Sequence, residues 1–318
     1  MEELLSVGQL ADRLTENIET VIKGKHQVVR NVVAAFLTGG HVLLEDVPGS
    51  GKTMLAKAMA ASVGGVFKRI QMTPDLLPAD ITGINFYDRK EERFRFIPGP
   101  VFSNILIADE INRATPKTQS GLLECMEERQ VTVDGTTYQL EAPFMVIATQ
   151  NPVDTQGVFP LPDAQVDRFL MKLSMGYPDH ESLKEIFAEH VDGKRAGDIK
   201  SVVTIEQVRR AMEQIADVEI GEAVRSYAAD LIEATRKKEQ VLLGVSPRGG
   251  IALLRMARTI AAWAGRAYVL PDDIQEIAIE VMAHRLVLKN SLRFRPGEAE
   301  ELIRQTIDEV PAPTEDFR

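Results

Sequence analysis

The chain has 318 residues, room for roughly two domains, with 44% hydrophobic and 26% charged residues as in ordinary globular proteins. Its net charge of −10 argues against a protein whose main work is coating nucleic acid, and no apolar run approaches the ~20 residues a membrane span needs. One cysteine, Cys125, excludes an internal disulfide and a Cys-built metal site.

The acidic, amphipathic start MEELLSVGQLADRL is unlike a signal peptide, so a cytoplasmic protein without membrane insertion is expected. The five histidines show no ligand spacing and read as structural or solvated. Residues 2–36 carry a helical apolar stripe, broken at Val21-Ile22-Lys23-Gly24-Lys25. A short apolar strand, 41–45, leads into Val47-Pro48-Gly49-Ser50-Gly51-Lys52-Thr53 and a helix to about Val63. A second strand is expected at 66–71.

Residues 73–103 are rich in proline and glycine and bracket two alternating runs, 84–87 and 93–96, which read as a projecting hairpin. The continuous apolar run 105–108 reads as a buried strand ending in Asp109-Glu110. A helix from about Pro116 to Glu128 follows, then a hairpin over 129–140 with Asp134-Gly135 at its turn. Another buried strand, 144–148, ends at Thr149-Gln150-Asn151-Pro152. Beyond Pro178 the pattern becomes helical, starting with a capping box at Thr204 and Gln207. Further helices start near Pro247 and Asp272. The expected division is an α/β domain at 1–178 and an all-α domain at 179–318.

Strand, glycine-bearing turn, Gly-Lys-Thr and helix form the context of a phosphate-binding loop. Glycines 49 and 51 let successive amides converge, and the following helix aims its positive end at the same point. Lys52 supplies a mobile charge for the outer phosphates, and the Thr53 hydroxyl is placed to ligate Mg²⁺. The motif's first glycine is replaced by Asp46. An acidic pair at the end of a buried parallel strand lies where such sheets bind ligands. There Asp109 holds Mg²⁺ through water, and Glu110 polarises the attacking water. Asn151, closing the next strand, offers an amide to orient the water or γ-phosphate. Arg168 and Arg248 are either solvated arginines or guanidinium groups that neutralise phosphate charge.

The ordered set EDVPGSGKT, ILIADEINRA, ATQNP, LPDAQVDRF and VSPRGG resembles the MoxR family of AAA+ ATPases, from about Val21 to the end. The resemblance implies an AAA+ P-loop fold: a five-stranded parallel sheet flanked by helices, then a small all-α lid. It implies that Pro48, Gly49, Ser50, Gly51, Lys52, Thr53 and Met54 hold ATP, with Thr53 and Asp109 on Mg²⁺ and Glu110 in Walker B. It also makes Asn151 sensor 1, Arg168 an arginine finger completing a neighbour's site, and Arg248 sensor 2. Asp46 matches the family's EDVPG form, and the Ile22–Gly24 break resembles a segment lining an adenine pocket. The hairpins near 73–103 and 129–140 correspond to family inserts that face a pore or partner. Arg113 and Lys117, on an expected interface helix, receive no role.

The resemblance further implies ATP hydrolysis in a homo-oligomeric ring, expected to be a hexamer, that remodels or matures a protein complex. A separate protein with a von Willebrand factor A domain is the expected partner. A nucleic-acid-stimulated motor is the main rival, disfavoured by the acidic balance, and a slow nucleotide-gated scaffold is the other.

Overall fold

The computed structural model describes residues 5–46, 49–152, 157–191, 199–289 and 297–314. The chain begins with helices α1 (Val7–Glu19) and α2 (His26–Leu37), strand β1 (Val42–Glu45), helix α3 (Lys52–Ser62) and strand β2 (Phe67–Gln71). A short α4 (Pro78–Thr82) precedes the pair β3 (Gly83–Asp88) and β4 (Arg93–Pro98), then β5 (Ile105–Asp109) and α5 (Pro116–Glu128). Next come β6 (Gln130–Val133), β7 (Thr136–Gln139), β8 (Met145–Gln150), α6 (Asp163–Val166), β9 (Met171–Leu173) and α7 (His180–Val191). The remainder is α8 (Ile205–Ala216), α9 (Glu222–Lys237), β10 (Val241–Leu243), α10 (Pro247–Trp263), α11 (Pro271–Met282), β11 (Val287–Leu288) and α12 (Glu298–Glu309). None of the described helices is long and apolar enough to cross a membrane.

These elements form two compact units, each discontinuous in sequence. One comprises Arg13–Leu161 and Leu173–Val208; the other comprises Met1–Asp12, Pro162–Lys172 and Arg209–Arg318. The single boundary expected between residues 178 and 179 falls inside the Leu173–Val208 segment of the first of these.

In the α/β unit the sheet order is β2-β5-β8-β1-β9, and β2–β5, β5–β8 and β8–β1 pair in parallel. The apolar strands take the interior positions: every residue of β5 is buried, as are the first five of β8. Burying each large aliphatic side chain contributes roughly 1.5–3 kcal/mol, which is why uninterrupted Val/Ile/Leu runs become central strands. By contrast β2, at the sheet edge, buries only Ile70 fully. Parallel pairing brings the ends of β1, β5 and β8 to one edge, with β8 between the other two.

His41 fixes the base of this arrangement. Its Nδ1 accepts from Val146 N at 2.9 Å, so its Nε2 donates to the Met126 carbonyl at 3.0 Å. Both expected hairpins form. The β6–β7 turn places Asp134 at φ 48° and Gly135 at φ 80°, the positive pair that Asp-Gly accommodates. The hairpins also pack on each other: Phe96 stacks on Tyr138 at 4.0 Å, and Asn85 donates to Asp134 at 2.8 Å.

In the helical unit, α9 buries Val224, Tyr227 and Leu231, and the Tyr227 hydroxyl accepts from Gln275 of α11 at 2.9 Å. Arg266 pairs with Asp273, which is buried. Two parts of this unit are absent from the expected elements: the β10–β11 pair, whose strands of three and two residues are too short to show alternation, and the terminal α12, which does carry a buried face in Leu302, Ile303 and Thr306. In the last segment of the α/β unit, the Thr204–Gln207 capping box forms as expected, each backbone N–H donating to the other side chain at 2.9 and 3.2 Å.

Candidate functional site

Beyond β1 the chain turns toward α3; Val47 and Pro48, the latter an expected nucleotide-binding residue, lie outside the described residues. Gly49 and Gly51 hold φ of +82° and +92°, a region glycine enters without a Cβ clash. Gly51 is the N-cap of α3 and no side chain caps it, so the helix start and its partial positive charge face the loop. Lys52 folds back over the loop, Nζ lying 2.9 Å from the Asp46 carbonyl and 3.5 Å from Ser50 Oγ. Burial lowers the Lys52 pKa, while Asp46, Asp109 and Glu110 act in the opposite direction. Thr53, in the first turn of α3, is half-buried, and Met54 is exposed.

The departure at Asp46 has a structural reason. Its buried carboxylate accepts from the backbone amides of Met175 and, at 3.0 Å, Gly176. Glycine could not make this tie between the foot of the phosphate loop and the segment after β9. Ile22 is buried, and Gly24 has φ +66° against the start of α7, where an added Cβ would lie 2.1 Å from Ser182 Oγ. Both conformation and space demand glycine there.

The acidic pair is held from three directions. Asp109 Oδ2 accepts from Arg69 Nε at 2.6 Å, and its Oδ1 accepts from the Thr149 hydroxyl at 3.3 Å. Glu110 adopts φ 56°, ψ 54°, which costs a non-glycine residue roughly 1–2 kcal/mol. Its N–H donates to Thr149 Oγ1 at 2.9 Å, fixing that conformation. Its carboxylate receives Gln71 Nε2 at 2.7 Å and pairs with Arg113 Nε at 3.1 Å. Asn151, buried, follows the end of β8, the sheet neighbour of β5.

The α/β unit thus gathers Gly49–Thr53, Asp109, Glu110 and Asn151 at the carboxyl edge of one sheet, where such sheets bind ligands. Arg168 and Arg248 lie in the helical unit, grouped around Asp167: Arg168 follows it directly, and Arg248 Nη1 is 4.0 Å from its Oδ2. Reading the residues in sequence missed Arg69, Gln71 and Thr149, and gave Arg113 no role. Period-two alternation puts 69 and 71 on one face, but only the β2–β5 register, Gln71 opposite Asp109, brings that face to the acidic pair.

Comparison with known proteins agrees with this geometry. Residues 41–171 match the model of the ATPase family associated with various cellular activities (AAA), and residues 233–308 match an AAA lid domain. A Mycobacterium tuberculosis protein named Chaperone MoxR1 is 40% identical over 98% of this chain and 85% of its own. Protein MoxR of Methylorubrum extorquens is 31% identical over 95% of each. An uncharacterized Bacillus subtilis protein, YeaC, is 44% identical over 96% of each. The crystal structure of a candidate ATPase from Cytophaga hutchinsonii superposes with a TM-score of 0.89 at 36% identity, covering 97% of this chain and 96% of that one. Sheet order, the loop and acidic pair gathered at one sheet edge, and full-length likeness converge on one assignment: this chain belongs to the MoxR family of AAA+ ATPases and hydrolyses ATP.

Proposed function

We propose that this ATPase works as a homo-oligomeric ring, a hexamer, that uses MgATP hydrolysis to remodel or mature a protein complex in the cytoplasm. A separate protein carrying a von Willebrand factor A domain is the proposed partner. The name of the M. tuberculosis relative, a chaperone, supports the remodelling part. The observation that carries the reading is the convergence of phosphate loop, acidic pair and Asn151 on one sheet edge.

In this reading the loop 48–53 and Met54 hold the phosphates, Lys52 neutralises the outer ones, and Ile22 and Gly24 flank the base. Thr53 and Asp109 are hard oxygen donors of the class that suits Mg²⁺, which withdraws charge from the phosphate oxygens when bound. Glu110 polarises the attacking water, Asn151 orients it, Arg248 serves the chain's own site and Arg168 a neighbour's.

The test is steady-state ATPase rate against protein concentration, with oligomer mass followed by light scattering. Specific activity should rise as rings form, and Arg168→Ala should assemble yet stay slow. A concentration-independent rate with an unaffected Arg168→Ala would sink the shared-site mechanism.

A further inference from the structure

Asp167, beside the proposed arginine finger, is the centre of a half-buried network within the helical unit. The Arg285 side chain is only 2% exposed, and its Nε donates to Asp167 Oδ1 at 2.7 Å. Its two Nη groups donate to the carbonyls of Asp167 at 3.0 Å, Phe169 at 2.6 Å and Leu170 at 3.2 Å, and to that of Val281 at the end of α11. One guanidinium therefore grips the backbone on both sides of Arg168. The other Asp167 oxygen, Oδ2, accepts from Ser246 Oγ at 3.0 Å. Ser246 is the N-cap of α10 and accepts from Gly249 N at 3.1 Å, with Arg248 between them in sequence. The stem of Arg285 also crosses this helix start. A Cβ on Gly249 would lie 2.7 Å from Arg285 Cδ and 2.5 Å from Val245 Cγ1, which explains the glycine after Arg248.

A buried ion pair is poor value as a source of stability, because well-packed apolar side chains of similar volume usually do as well. A forked guanidinium does fix geometry, since its five donors are rigid. We propose that Asp167 and Arg285 are positioning residues that lock Arg168 and Arg248 into one rigid constellation. The two guanidinium groups are then presented together, in one fixed geometry of the kind phosphoryl transfer needs. This inference rests on the roles proposed above for Arg168 and Arg248.

The test uses the full chain and two variants. Arg285→Lys keeps the charge and loses the fork; Asp167→Asn keeps the shape and loses the charge. Each is followed by thermal midpoint, light scattering, fluorescent-nucleotide affinity and ATPase rate against ATP concentration. The expected result is assembled protein with near-wild-type nucleotide affinity and kcat lowered roughly tenfold to a hundredfold. Should Arg285→Lys not fold, Asp167→Asn decides. A double-mutant cycle separates positioning from general structure: in an Arg168→Ala, Arg248→Ala background, Asp167→Asn should have no further effect on kcat. Wild-type kcat in Asp167→Asn, alongside slow Arg168→Ala and Arg248→Ala single variants, would overturn the inference and leave the arginine roles intact. Unaffected single arginine variants would instead overturn the roles on which it rests.

Discussion

Asp109, a proposed Mg²⁺ ligand, is held by groups that leave no mark in its own motif. Its neighbour Arg69 has a half-exposed side chain, so its attraction for Asp109 is worth roughly 0.2–1 kcal/mol after screening. A cation beside Asp109 opposes the approach of a second one. Arg69→Met is therefore expected to lower the Mg²⁺ concentration for half-maximal nucleotide binding, by up to about fivefold; an unchanged titration would contradict this. Glu110→Gln keeps the side chain's size and its contact with Gln71 while removing the charge proposed to polarise water. ATP should still bind, and turnover should fall by roughly a hundredfold or more. Cys125 offers a different kind of check. Burial, with a smaller contribution from Glu124, pushes its thiol up to about 12. The folded protein should resist thiol-alkylating reagents at pH 8 and react only on unfolding, as mass spectrometry can follow.

At the scale of elements, two contacts tie segments distant in sequence. The Phe96–Tyr138 stack and the Asn85–Asp134 bond join the two hairpins, so each limits the other's motion. His284, in the turn after α11, joins the other network. Its Nε2 donates to the Phe169 carbonyl at 3.2 Å, one residue past Arg168. Burial, then the nearby Arg285 charge and Lys172, hold its pKa well below the ordinary 6.5. The folded chain keeps this ring neutral, whereas the unfolded chain takes up a proton as the pH falls through about 6.5. The unfolded state then binds more protons, so stability is lost as pH drops below that value. Thermal midpoints measured from pH 8 to 5.5 should fall, and His284→Gln should flatten the slope. The hairpins were legible in the sequence because alternation and an Asp-Gly turn are local signals. Their mutual packing was not, because Phe96 and Tyr138 lie on separate hairpins whose approach no local pattern encodes.

At the scale of the whole molecule, the proposed ring makes a prediction that an isolated site would not satisfy. Subunits carrying Glu110→Gln retain Arg168, and subunits carrying Arg168→Ala retain Glu110. Mixed after dissociation and reassembly, the two inactive proteins should recover a fraction of wild-type ATPase, because some interfaces then pair an intact glutamate with an intact arginine. No recovery, despite mixed assembly, would show that Arg168 does not act across subunits.

The sequence by itself determined the chemistry-bearing loop, the acidic pair, the apolar runs that become the central strands, and the family. Each of these rests on contiguous residues: glycines that permit one turn, apolar runs that must be buried, and a carboxylate pair at a strand end. Tertiary structure decided what holds those groups in place. Asp46 gains its reason from Met175 and Gly176, more than a hundred residues away in the chain. Arg69 and Gln71 reach Asp109 and Glu110 only because β2 pairs with β5 in one register. Arg285 reaches Asp167 across more than a hundred residues. Such partners share neither spacing nor periodicity with the groups they serve, since hydrogen bonds form between neighbours in space and leave no pattern along the chain.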